Sequence, residues 1–341
     1  MLKIGIIGAG RIGKVHCESI MCYVKGASVK TVADPFMNDD TAAWLKNMGV
    51  ENTTKDYKEI LADKEIDAVL ICSSTDTHSP ISIEAIKAGK HVFCEKPVDH
   101  DIGKILEVKE ALKGSKVKYQ VGFNRRFDHN FRAAKEAVDA GKIGELNTLA
   151  ITSRDPAAPP VEYIKVSGGI FLDMTIHDFD MVRYISGDEV EEVYATGAVL
   201  VDPEIGKAGD IDTAIVNMKL SSGAIAVINN CRRASYGYDQ RLEAFGSLGQ
   251  VEVQNDTDST AVISNADGVT KEKPKYFFLQ RYMAAYTAEI ESFVRAVEND
   301  TDVEVGVIDG LEPVLIGLAA TRSVKEGRPV KISELRAEYG L

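Results

Sequence analysis

Two textures of apolar and polar positions divide the chain. Up to about residue 123, short and nearly continuous apolar runs alternate with stretches in which apolar residues recur at helical spacing. The runs 4–7, 29–33, 68–72, 91–94 and 119–122 read as strands bounded by turn residues, and 11–24, 41–47, 57–61, 79–88 and 102–112 as the helices between them. Strand and helix in alternation predict right-handed βαβ units and a doubly wound, mostly parallel sheet. A helical passage at 128–140 stops at Gly141, and the texture then changes. Segments 146–154, 190–200, 213–220, 224–232, 241–246 and 250–254 read as strands in near succession, several joined by tight turns such as Ser221-Ser222-Gly223 and Ser247-Leu248-Gly249. This predicts an α+β domain with a large, mostly antiparallel open sheet and helices on one face. Amphipathic helices at 284–297 and 310–324 follow, the second broken by Gly327-Arg328-Pro329. The expected domains are 1–123 and 124–341, with the C-terminal helices free to pack back on the first. A sheet face left uncovered usually finds a partner subunit.

Composition narrows the function classes. A chain of 341 residues suits two domains, and 45% hydrophobic residues are enough for sizeable cores. No apolar run approaches the roughly 20 residues that span a bilayer, and the N-terminal apolar run reads as a buried strand, not a signal peptide. Fifty-two acidic against 40 basic residues give a formal charge of −12, which argues against nucleic acid or anionic lipid as a partner. The five cysteines are odd in number, scattered and free of any CxxC pair. They are expected to be reduced thiols in a cytoplasmic protein, and no metal site is expected.

The clearest chemical signal is Gly8-Ala9-Gly10-Arg11-Ile12-Gly13, a G-x-G-x-x-G run that follows a strand and opens a helix. The first glycine permits the tight turn, the second lets backbone approach a pyrophosphate, and the third packs helix against strand. The anion would then sit at the positive helix end. Asp34, at the end of the second strand, is placed to accept hydrogen bonds from ribose hydroxyls, so the first domain reads as a Rossmann domain. Its charge would repel a 2′-phosphate, and Pro35-Phe36-Met37 offers no arginine to bind one, which favours NAD over NADP. An FAD or S-adenosylmethionine site, or a structural glycine turn, shares this opening. Ser73, Thr75 and His78 follow the third strand at the sheet edge where ligands bind, and equally suit a capped helix start.

Two further segments carry candidate catalytic groups. Glu95-Lys96-Pro97 ends a strand at that same edge, where Glu95 and Lys96 are candidates to contact the cofactor and the Lys96 ammonium could stabilise alkoxide-like charge during hydride transfer; a solvated surface lysine is the plainer reading. The run Gly168 to Asp180 sets Asp173 and His177 four residues apart on what reads as one helix, with Asp180 three residues further on the same stripe. Such a pair would let a carboxylate orient a histidine acting as general acid or base, although a surface aspartate beside a structural histidine has the same spacing.

With these motifs in place, the chain resembles the glucose-fructose oxidoreductase/inositol dehydrogenase/MocA family. The likeness rests on the glycine run, Glu95-Lys96-Pro97, Gly122-Phe123-Asn124-Arg125-Arg126-Phe127 and the Gly-Gly-x-x-x-Asp-x-x-x-His segment, and covers essentially the whole chain. Ser153-Arg154-Asp155-Pro156, the segment from Asp173 to Asp180, and that from Arg233 to Arg241 look most like the inositol 2-dehydrogenases. The resemblance implies NAD-dependent oxidation of myo-inositol to the inosose and a homotetramer built through open sheet faces. Carried onto matching positions, it implies Lys96, Asp173 and His177 as the catalytic set, with His177 as the base. Asn124, Arg126, Asp155 and Tyr236 are the further candidates for binding a hydroxyl-rich ring, alongside Lys96, Asp173 and His177. A dehydrogenase of scyllo-inositol, glucose or a glucoside is the alternative, and a non-catalytic NAD-sensing regulator a third reading.

Overall fold

A computed structural model describes all residues, Met1–Leu341. The chain divides into two compact units: Met1–Phe127 with Ala284–Val314, and Asp128–Met283 with Leu315–Leu341.

In the first unit, strands β1 (Leu2–Ile7), β2 (Ala27–Ala33), β3 (Asn52–Thr54), β4 (Ala68–Ile71), β5 (His91–Glu95) and β6 (Tyr119–Gly122) form one sheet. Its order is β3-β2-β1-β4-β5-β6, and every pairing is parallel. The central strands are apolar throughout because helices cover both faces: Ala68, Val69, Leu70 and Ile71 are all buried. The strand order reverses between β1 and β4, so the crevice at their carboxyl ends is where a doubly wound sheet binds its ligand. Part of the covering comes from far along the chain. The helix Met283–Glu298 sets Ile290, Phe293 and Val294 into the cluster formed by Ile4, Ile6, Leu70 and Phe93, each fully buried apolar side chain stabilising by about 1.5–3 kcal/mol.

In the second unit, β7 (Leu146–Arg154), β8 (Val190–Ala198), β9 (Thr213–Leu220), β10 (Ile225–Cys231), β11 (Asp239–Gly246), β12 (Gly249–Val253) and, beyond the hairpin β13 (Val262–Asn265) and β14 (Gly268–Lys271), β15 (Val330–Lys331) are the strands. The sheet runs β12-β11-β7-β10-β9-β8-β15, and β13 pairs with β14 separately. All pairings in the large sheet are antiparallel except β10 with β7, which makes it a mixed sheet. Side chains alternate cleanly: in β9 the residues Ala214, Val216, Met218 and Leu220 are buried, while Ile215, Asn217 and Lys219 point the other way and are exposed. Tyr194, Ile225 and Phe245 are exposed in the same sheet.

One strand carries no apolar signal: Asn52–Thr54 pairs with β2 through its backbone, and its three polar side chains are not drawn into the core. One expectation changes here. The single helix expected to carry Asp173, His177 and Asp180 is two helices, Gly169–Asp173 and Ile176–Ser186. Thr175 breaks the run: its N–H bonds the Ile170 carbonyl five residues back at 2.9 Å, and its hydroxyl donates to Ile170 O and to Asn230 Oδ1. The polar stripe breaks with it, because Asp180 is buried whereas Asp173 and His177 are half-buried.

Candidate active site

The nucleotide side is built from β1 and the turn after it. Gly8 has φ +103°, and a Cβ there would stand 2.6 Å from the Cys72 backbone, so only glycine lets the turn pass beneath β4. A Cβ on Gly13 would lie 2.0 Å from the Gly8 carbonyl oxygen, whereas one on Gly10 would meet nothing within 4 Å. The space over Gly10 is thus open, and Gly10 and Arg11 are exposed at the start of the helix Arg11–Cys22. That helix has no side-chain cap and no acidic residue in its first turn, which leaves its first N–H groups available to an anion. Asp34 stands beside them: Oδ2 accepts the Ala9 N–H at 2.7 Å, and Oδ1 the Phe36 N–H at 2.8 Å. Its carboxylate therefore fixes the glycine turn. This donor set fits a dinucleotide without a 2′-phosphate.

Of the other nucleotide-side candidates, Ile12, Ser73 and Thr75 are half-buried at the sheet edge, and Ser73 Oγ lies 2.6 Å from Thr77 Oγ1. His78 corrects its expectation as a cofactor contact. It is buried, with Nδ1 2.8 Å from the Pro97 carbonyl oxygen and Nε2 3.0 Å from that of Ser73. Two acceptors leave the ring to donate from both nitrogens, so it is held as an imidazolium tying the loop after β4 to the loop after β5. Burial alone would lower its pKa, but Cys94 and the two carbonyls outweigh burial and carry it up to about 9. A raised folded pKa contributes stability that is complete below the ordinary value of 6.5 and is lost as pH rises through about 9. His78→Leu is accordingly expected to destabilise the protein by about 2–3 kcal/mol at neutral pH and to remove the part of the stability loss that falls between pH 6.5 and about 9. Urea unfolding across that range measures both, and an unchanged pH slope in the variant would refute the imidazolium.

Glu95 is buried and Lys96 half-buried where β5 ends. Asn124 and Arg126, expected at the substrate, lie in the short helix Asn124–Phe127 of the first unit and are both buried. Arg126 donates to Asp309 Oδ1 at 2.9 Å, and Asp309 in turn accepts the Gly306 N–H.

In the second unit, polar side chains cluster around Asp173. Tyr163 donates its hydroxyl to Oδ1 at 2.8 Å, and both terminal nitrogens of Arg232 donate to Oδ2 at 3.1 and 3.2 Å. Arg232 is 1% exposed and stands 3.8 Å from Asp210 as well. Asp210 accepts the Ile170 N–H at 3.1 Å, tying the Arg232 cluster to the first turn of the helix Gly169–Asp173. Burial, only partly offset by Arg232, pushes the Asp210 carboxyl up from its ordinary value. The next helix is anchored separately. Asn230 donates to Asp178 Oδ2 at 2.9 Å and to the Ser153 carbonyl, while accepting from Thr175, so α-helix and sheet share one buried network that fixes where His177 projects.

Tyr236 is 39% exposed and its hydroxyl is already oriented, donating to Asp239 at 2.5 Å and accepting from Arg154 at 3.0 Å. Burial and the Asp239 charge raise its pKa, so the phenol stays neutral. Asp155 is half-buried and follows β7, its N–H bonded to the Cys231 carbonyl. The residues that sequence reasoning missed are Tyr163, Asp210 and Arg232. Arg232 left a readable signal: Ala226, Ile228 and Asn230 point inward along β10, and a charged residue continues that inward phase at 232.

The chain is similar to known proteins over nearly its whole length. Residues 2–123 match a family model described as "Oxidoreductase family, NAD-binding Rossmann fold", and 131–252 one described as "GFO/IDH/MocA C-terminal domain". The chain is 49% identical to "Myo-inositol 2-dehydrogenase" of Thermotoga maritima, covering 98% of this chain and 99% of that one. It is 46% identical to "Inositol 2-dehydrogenase" of Rhizobium meliloti, covering 97% and 99%. Among solved structures, scyllo-inositol dehydrogenase of Lactobacillus casei with bound NAD(H) and scyllo-inositol superposes with a TM-score of 0.91 at 32% identity, covering 98% and 99%.

Proposed function

We propose that this chain, which belongs to the GFO/IDH/MocA oxidoreductase family, is an NAD-dependent dehydrogenase that oxidises one ring hydroxyl of myo-inositol to the inosose. The observation that carries the reading is the near-full-length identity to two inositol 2-dehydrogenases, at 49% and 46%. NAD, when bound, accepts the hydride from the carbinol carbon; Gly8, Gly10, Gly13 and the first N–H groups of the helix Arg11–Cys22 would hold its pyrophosphate, and Asp34 its ribose. The remaining work falls to side chains of this chain. His177 takes the proton of the hydroxyl as the carbon loses hydride, so that one C–H and one O–H bond break and one C=O bond forms. Lys96 hydrogen-bonds the reacting oxygen and stabilises its developing negative charge. Asp173, its carboxylate oriented by Arg232 and Tyr163, accepts from substrate hydroxyls. The Tyr236 ring offers an apolar face to ring C–H groups and an oriented hydroxyl to their edges, with Asp155 as a further acceptor.

No helix is long and apolar enough to cross a membrane, and all five cysteines are free thiols. The free thiols support the reading of a cytoplasmic enzyme. The exposed Tyr194, Ile215, Ile225 and Phe245 of the large sheet support assembly into a homotetramer through that face.

Nicotinamide absorbance on mixing the protein and NAD with myo-inositol, scyllo-inositol, D-chiro-inositol and glucose tests the activity. The fastest reduction is expected with myo-inositol. Reduction confined to scyllo-inositol or glucose would move the assignment to the alternative dehydrogenase, and none with any polyol would sink the enzymatic reading. For the cofactor, NAD is expected to be preferred over NADP by the wild type, and Asp34→Ala is expected to weaken NAD binding and to erode the preference. A wild type that prefers NADP would overturn the argument from the Asp34 charge.

A further inference from the structure

Glu95 immediately precedes Lys96, and its carboxyl is tightly enclosed. Oε1 lies 2.6 Å from His16 Nε2, and Oε2 accepts the Lys96 N–H at 3.3 Å. The carboxyl rests flat on Gly122 of β6, where a Cβ would stand 3.1 Å from Oε2. Glu289, on the helix Met283–Glu298, completes the cluster: one polar atom from each of His16, Glu95 and Glu289 lies within 4.8 Å of the others, and all three residues are buried. Neither oxygen of Glu289 meets a hydrogen-bond donor.

Two carboxylates this close, out of water, repel strongly unless a proton or a cation intervenes. A metal ion is disfavoured by the distances, and no donor, His16 included, reaches the Glu289 carboxyl. Donor atoms about 2.1 Å from a zinc-sized ion stand roughly 3.4 Å apart, whereas His16 Nε2 and Glu95 Oε1 are at hydrogen-bond distance, with room for a proton alone. We propose that Glu289 is kept as a neutral carboxylic acid, so that the two carboxyls carry a single negative charge, and that Glu289 and His16 are positioning residues that set Glu95 beneath the strand end bearing Lys96.

The surroundings agree. Burial first, and then the charge of Glu95, push Glu289 well above the ordinary value of 4.5. The titratable groups around the cluster are His16 and Cys17 on the first helix, Cys72 after β4, Cys94 and Glu95 on β5, and Tyr286 on the Glu289 helix, whose ring meets that of His16 edge-on. Burial also raises the thiols of Cys17, to about 12, and of Cys72, so neither supplies charge at neutral pH. Gln120 donates to the backbone carbonyl of Glu289 at 2.9 Å, which fixes the helix at that level.

The link to catalysis rests on the role given to Lys96; the proton on Glu289 does not, and the two are read separately. An acid whose folded pKa is raised favours the folded state fully below its unfolded value, and that contribution is lost as pH rises toward the folded value. Unfolding of the wild type and of Glu289→Gln is therefore compared from about pH 5 to 6.5, below the window assigned to His78. The unfolding constant of the wild type is expected to rise relative to the variant by about tenfold per pH unit, and parallel curves would overturn the proposal. Infrared spectroscopy of the folded wild type at neutral pH is expected to show a protonated-carboxyl band, and its absence overturns the proposal even if the variant fails to fold. One divalent metal per chain, retained by the wild type and lost from Glu289→Gln, would also overturn it. For the positioning role, Glu289→Gln is expected to keep turnover that Glu289→Ala loses, and equal loss in both would refute it.

Discussion

Replacing His177 by alanine is expected to lower turnover by roughly 10²–10⁴-fold, the range that a positioned acid–base group contributes, while NAD affinity stays as it was. The separation follows from where the residues stand in the chain. His177 opens the helix Ile176–Ser186 of the second unit, whereas the glycine turn and Asp34 belong to the first. Isothermal titration with NAD and initial rates with myo-inositol read the two effects independently. Near-normal turnover would remove His177 from the role of base, and a parallel loss of NAD affinity would mean that the substitution acts through the fold.

The second large effect is expected at Arg232. Arg232→Met conserves much of the volume but leaves the carboxylates of Asp173 and Asp210 without their shared cation. Removing one partner of a buried ion pair costs about 3–5 kcal/mol, and the lower end applies because the Asp173 side chain keeps 14% exposure. Turnover should fall as well, because Asp173 loses two of the hydrogen bonds that aim it. Adding Asp210→Asn to Arg232→Met is expected to recover part of the stability, since it removes a carboxylate whose charge burial already penalises. Urea unfolding of the four proteins of that cycle measures the coupling. A loss below about 1 kcal/mol for Arg232→Met would put the pair among surface ion pairs and contradict the role given to it.

The sequence was most legible where one local rule acts alone. Apolar runs flanked by helical periodicity located five of the six parallel strands, because strands buried on both faces have no alternative partner for their side chains. Asn52–Thr54 stayed hidden because its place in the sheet is set by backbone pairing with β2 and not by apolar side chains. The glycine turn was readable because Gly8 and Gly13 each answer a steric demand that no other residue meets. The helix break at Thr175 was not readable, since it depends on Asn230, 55 residues away, accepting the Thr175 hydroxyl. His78 and Arg126 share a similar difficulty. Each has a side-chain chemistry suited to a ligand, and what the sequence does not show is a partner distant along the chain: the Pro97 carbonyl for His78, and Asp309 for Arg126. Asp173 and His177 kept their interest because they are only half-buried, while Asp178 and Asp180 on the same segment are withdrawn into the core.

The central claim is hydride transfer from one carbon of myo-inositol, and the most direct measurement is the mass of the reduced cofactor formed from myo-inositol deuterated at carbon 2. The expected result is NADH one mass unit heavier than that from unlabelled substrate, formed more slowly when hydride transfer limits the rate and roughly 10²–10⁴-fold more slowly by His177→Ala. Unlabelled NADH would place the reaction at another carbon, and no NADH from either substrate would contradict the dehydrogenase reading altogether.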